Sequence, residues 1–129
     1  MSRHNEEREF VRHPTHIPIE VQATDTVNME YLNNVSLGGM AFDSNVYWEQ
    51  GSTLIIRIPN AHSSAEFIGK VVWCQEHNKH FEVGIQFMNS VNNNTAISKM
   101  VDDVCQFEMY KNIILALLGD NNVELEYLF

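Results

Sequence analysis

Arg8 and Arg12, four residues apart in Arg8-Glu9-Phe10-Val11-Arg12, are the side chains of this sequence best placed to meet an anion. Guanidinium is a planar fork of donors that grips phosphate oxygens in pairs, a geometry that the point charge of lysine does not reproduce. After a gap of 21 residues comes Asn34-Val35-Ser36-Leu37-Gly38-Gly39, which fits the pattern Asp/Asn-x-Ser-x-x-Gly and offers side-chain oxygens beside a flexible glycine pair. Each motif alone is common, since paired arginines often form a solvated face and Asn-x-Ser arises by chance. Their order and the single strand predicted between them make the combination informative.

Other chemistry has less support. Cys74, His77 and His80 have a spacing that suits a transition metal, but a fourth ligand is missing. They are read as the end of a buried strand and the two flanks of a hairpin turn, with no metal site expected. There is no Gly-rich phosphate loop with its Lys, no Gly-x-Ser-x-Gly elbow and no His-Glu-x-x-His, so no catalytic residue and no enzymatic activity are predicted. Trp48 and Trp73 are read as core or rim aromatics.

These candidates need a scaffold, and the apolar pattern supplies one. The chain of 129 residues is 44% hydrophobic, enough to close the core of one domain. Ile17, Ile19, Val21 and Ala23 alternate with polar residues or proline and predict a first half-buried strand. Met29, Tyr31 and Val35 predict a second, Met40 and Phe42 a third, and Leu54, Ile56 and Ile58 a fourth. A fifth strand, apolar on both faces, carries Phe67, Val71 and Trp73 with Ile68, Val72 and Cys74, and Phe81, Val83, Ile85 and Phe87 give a sixth. Short strands at this spacing predict a small antiparallel barrel over residues 14–91. The period then lengthens, and Ile97, Met100, Val101, Val104, Phe107 and Ile114 predict a helix over residues 95–118, capped by Asn94 and stopped at Gly119, with an extended tail to Phe129. Residues 1–13 hold too little apolar surface to pack alone and are expected to form a flexible arm.

Charge narrows the partners. Eight Lys and Arg against 17 Asp and Glu leave a formal charge of −9, which disfavours broad attachment to DNA, RNA or an anionic bilayer. The longest apolar run, Ile113 to Leu118, is far too short to span a membrane. Met1 to Phe10 lacks the apolar segment of a secretory signal, and two cysteines make no disulfide framework, so a cytoplasmic chain is expected.

The arginine arm, the prolines at Pro14 and Pro18, Asn34-Val35-Ser36-Leu37-Gly38-Gly39, Gly69-Lys70-Val71-Val72-Trp73-Cys74 and Phe81-Glu82-Val83-Gly84-Ile85-Gln86-Phe87 together resemble the PilZ domain family, bacterial receptors for cyclic di-GMP. The resemblance implies an all-β fold with a C-terminal helix: a six-stranded antiparallel barrel at residues 14–91, preceded by an arginine-bearing arm at 1–13 and followed by a helix and tail at 92–129. It implies that Arg8 and Arg12 bind the phosphates and the O6 and N7 acceptors of guanine, that Asn34 and Ser36 accept from guanine N1 and N2, and that Gly39 admits the ligand to the backbone. Asn34 stands where many members have Asp and gives up charge assistance. Glu7 stands where a further Arg is common and repels phosphate, so one or two ligands per site is left open.

The expected function is that of a cyclic di-GMP receptor or adaptor that orders its arm on binding and signals to an unidentified protein partner. The alternative is a PilZ-like scaffold for pilus or secretion assembly that binds no nucleotide. The length of the helix and its apolar end, Ile113 to Leu118, predict a homodimer or a docked partner through the C-terminal segment.

Overall fold

The computed structural model describes residues 11–59, 66–88 and 93–118. Six strands, β1 (His13–Ala23), β2 (Thr26–Val35), β3 (Gly39–Ser44), β4 (Thr53–Arg57), β5 (Glu66–His77) and β6 (His80–Phe87), precede one helix, α1 (Asn93–Leu118). The strands close into a barrel in the order β1-β2-β3-β6-β5-β4, every pair antiparallel. Alternation explains the closure: Ile17, Ile19 and Val21 of β1, Phe42 of β3, Leu54 and Ile56 of β4, and Phe67 and Val71 of β5 all point inward and are buried. Among the described residues no helix is long and apolar enough to cross a membrane.

The seam between β1 and β4 is short, with Glu20, Gln22 and Val21 opposite Arg57, Ile55 and Ile56. Arg57 fastens it. Its guanidinium donates to Glu66 at 2.8 Å and to Gln22 at 2.9 Å, and lies 3.7 Å from Glu20, so one side chain spans β4, β5 and β1. Helix α1 starts at Asn93, two residues earlier than its predicted start, and covers the barrel with Ile97, Met100, Val101, Val104 and Phe107, all in the same core. Thr15 of β1 donates to Glu108 at 2.5 Å, which joins the helix to the barrel wall. The predicted cap at the Asn94 side chain, the stop at Gly119 and the extended tail lie outside what the structure describes.

Two strands correct the sequence reading. Met29 and Tyr31 of β2 face solvent, and Glu30 and Leu32 face the core. The register requires this, because residues directly opposite share a face, and Ile17 and Ile19 lie opposite Leu32 and Glu30. A bulge between Leu32 and Asn34 then returns Val35 to the interior. In β5 the two apolar faces are not equivalent. Phe67 and Val71 are buried and Ile68 is exposed, and a bulge between Val71 and Trp73 turns Trp73 outward while Cys74 packs against the core.

The inward Glu30 is 5% exposed and sits in a small polar network. Ser44 Oγ donates to it at 2.8 Å and accepts from Trp48 Nε1 at 2.9 Å and from the Val46 amide at 3.1 Å. Burial pushes the Glu30 carboxyl above its ordinary value of 4.5, the Ser44 bond opposes the rise, and the Asp43 charge adds to it. Because the folded state holds this proton more tightly than the unfolded chain, the stability it contributes is full below 4.5 and is lost as pH rises through the raised folded value. Glu30→Gln, which mimics the protonated acid, is expected to melt a few degrees higher than the parent at about pH 8, with the gap closing as pH falls toward 4.5. Thermal unfolding followed by circular dichroism across that range checks it.

Candidate functional site

The turn between β2 and β3 is built around Ser36. Its amide donates to the Gly39 carbonyl at 2.8 Å, and its hydroxyl oxygen accepts from the amides of Gly38 and Gly39 at 3.2 and 3.3 Å. The Ser36 hydroxyl is buried and used within the turn, so its position is that of a brace rather than of an exposed acceptor for guanine. Buried Val35 fixes one end of the turn in the core, and the Phe87 amide donates to the Gly38 carbonyl at 3.0 Å at the other. Gly39 is also explained from within: a Cβ there would run into the carbonyl oxygen of Ile85, so glycine is what lets β3 close against β6.

Arg12 lies across from this turn. Its Nη1 donates to Asn34 Oδ1 at 2.7 Å, an exposed contact between residues 22 apart in sequence. Two of the predicted site residues are thus in direct contact, and Arg12 already has a partner on the barrel wall. An amide oxygen has two lone pairs, which leaves Asn34 able to accept from a ligand as well. Arg8 lies outside the described residues.

The register extends the site across the barrel wall. Asn34 pairs with Ala41, Ala41 with Gly84, and Gly84 with Trp73, which makes one row on the outer face of four adjacent strands. The middle of the row carries only a methyl group and a hydrogen and is covered: Ala41 is buried, and the Trp73 indole lies over Gly84, where a Cβ would overlap the ring. The row on one side holds Gly39, Gln86 and Lys70, and the row on the other holds Asp43, Glu82 and Gln75. The result is a platform row with small residues at its centre, Arg12 and Asn34 at one end and a half-buried indole at the other. A guanidinium and an aromatic face on one wall suit planar, charged ligands. Sequence reasoning missed Ala41 and Gly84 and treated Trp73 as a core or rim aromatic. The signal for Gly84 was a glycine in the middle of an apolar strand, which marks close approach of another group.

Cys74 and the histidines do not converge, since Cys74 turns toward the core whereas His77 and His80 sit at the exposed end of the β5–β6 hairpin. Among the described residues no group of three or more His, Cys, Asp or Glu is arranged to hold a metal ion. On the helix, burial and then the Asp102 charge push the Cys105 thiol upward, which disfavours its reactive thiolate.

Gly39→Ala forces its methyl against backbone that cannot yield cheaply, and is expected to lower unfolding free energy by about 1–3 kcal/mol. Arg12→Ala, which removes an exposed contact, is expected to change it by no more than about 0.5 kcal/mol. Urea denaturation of both variants checks the contrast.

Comparison with known proteins places this architecture. No match was found among curated proteins. The isolated PilZ domain of Escherichia coli YcgR, solved with c-di-GMP, superposes with a TM-score of 0.66 at 15% identity, covering 81% of this chain and 96% of that one. Bacillus subtilis MotI/DgrA, an inhibitor of motility, gives a TM-score of 0.62 at 14% identity over 86% of this chain. Klebsiella pneumoniae MrkH in complex with c-di-GMP gives 0.62 at 12% identity over 81% of this chain. The chain spans about half the length of the last two, 53% and 55% respectively. The family model described as PilZ domain matches residues 6–102, and the chain belongs to the PilZ domain family.

Proposed function

We propose that this chain is a cyclic di-GMP receptor that passes the bound state on to a protein partner and has no catalytic role. The observation that carries the reading is the 2.7 Å contact between Arg12 and Asn34, which joins the arginine motif to the Asn-x-Ser turn at one end of the row that runs through Ala41 and Gly84 to Trp73. Support comes also from family membership and from the YcgR and MrkH structures solved with this nucleotide. In this reading Arg8 and Arg12 bind the phosphodiester groups and guanine acceptors, and Asn34 accepts from a guanine edge. Ser36 and Gly39 act by holding the turn in shape. Trp73 packs its indole on the ligand or its arm.

The signal is the arm. The residues ahead of β1, 1–12, draw against the turn when ligand adds contacts to those Arg12 already makes, which gives the bound state the differential interaction that a switch requires. Arg12→Ala is expected to weaken binding by on the order of 2–5 kcal/mol, because a charge-assisted bidentate contact is lost. Calorimetric titration with cyclic di-GMP, with GTP and cyclic GMP as controls, measures it, and amide hydrogen exchange over residues 1–12 in the same samples follows the arm. Unchanged affinity in the variant refutes the assignment of Arg12, and equal exchange with and without ligand refutes the arm as the switch.

The partner surface in this reading is the end of α1. Met109, Ile113 and Leu117 follow one another at four-residue steps and are exposed, with Leu117 at 80%. Light scattering is expected to show a dimer whose population falls on Leu117→Glu. A monomeric mass at high concentration refutes self-association.

A further inference from the structure

The outer face carries a cluster that ligand recognition, as described above, does not use. Asp43 and Glu82 lie directly opposite each other on β3 and β6, a like-charge pair that is unfavourable unless compensated. Three groups compensate it. Asn33 Nδ2 donates to Asp43 at 2.7 Å and to Glu82 at 3.2 Å. His80 Nε2 lies 3.5 Å from Asp43, and His77 Nε2 lies 3.6 Å from Glu82. The two imidazole rings face each other across the hairpin end, with centroids 6.3 Å apart. Glu76 and Lys79 flank them on the hairpin, and β3 and β6 present Asp43 and Glu82.

This cluster adjoins the platform. Asp43 follows Ala41 by two residues on β3 and Glu82 precedes Gly84 by two on β6, on the same face and at a separation of about 7 Å. Asn33, which bridges the carboxylates, precedes Asn34, which Arg12 contacts. Two carboxylates within a Debye length of the platform repel a dianionic ligand, and imidazolium beside them cancels that repulsion.

We propose that His77 and His80, acting on Asp43 and Glu82, form a proton-dependent countercharge beside the nucleotide platform, so that cyclic di-GMP binds more tightly as the two imidazoles protonate. The inference rests on the receptor reading. Its sign follows from linkage: protonation brings positive charge toward an anionic ligand, so affinity rises as pH falls, and bound ligand in turn draws protons onto the histidines. His77 and His80 touch no ligand in this account and act only through the field at the platform.

Calorimetric titration of the full chain with cyclic di-GMP at low salt, at pH 8, 7, 6 and 5.5, tests it in the parent and in the double variant His77→Gln, His80→Gln. The parent is expected to gain about 3- to 10-fold in affinity from the highest to the lowest pH. The variant is expected to match it at pH 8 and to gain much less. His13 and His16, which lie on β1, remain in both proteins, so the difference between the two profiles isolates the hairpin pair. As a second readout, calorimetry in two buffers of different ionisation enthalpy is expected to show proton uptake on ligand binding at pH 6 that is larger in the parent than in the variant. Binding with parallel pH profiles in parent and variant overturns the proposal alone. No binding by the parent at any pH overturns the receptor reading and the proposal with it.

Discussion

Closure of the barrel is the constraint on which the rest depends. A sheet that closes on itself must assign every residue to an inside or an outside, and the inside of this one is filled by side chains from all six strands and sealed by α1. The outer face is then what remains, and its character is set by where the alternation slips. One bulge on β2 and one on β5 each insert a residue, and those two insertions bring Asn34 opposite Ala41 and Trp73 opposite Gly84. Without them the two ends of the platform row would be occupied by other side chains.

Much of this was readable in the sequence. Six strands and a helix follow from periods of two and of three to four residues, and the inward residues of β1, β3, β4 and β6 were found because their apolar side chains alternate cleanly. β2 misled for a physical reason. Its outer face carries Met29 and Tyr31, and its inner face carries a glutamate that the fold tolerates only because Ser44 donates to it. Periodicity reports hydrophobicity, and here a buried acid and exposed apolar residues invert the report. Bulges are equally hidden, since one extra residue in a strand leaves no mark on composition.

The site divides along the same line. Arg12 and Asn34 were legible as reactive types at a suggestive spacing, and the fold brings them within hydrogen-bonding distance. Ser36 and Gly39 were legible as a motif but not as structural parts, because the partners that give them their roles, the turn amides and the Ile85 carbonyl, appear only when β3 lies against β6. Ala41 and Gly84 matter for what they lack. A platform made of missing side chains has no signature until the strands are laid side by side.

The two tryptophans of the chain stand in contrasting surroundings, and this gives the protein two optical reporters. Trp48 is nearly buried, with its indole N–H held by Ser44 inside the network that also contains Glu30. Trp73 lies half-buried on the outer wall over Gly84. Indole emission follows the polarity and mobility of its environment, so Trp48 registers the integrity of the core while Trp73 registers what settles on the wall. Red-edge excitation or quenching by iodide selects the second over the first, which lets occupancy of the platform be followed separately from unfolding in the unlabelled chain.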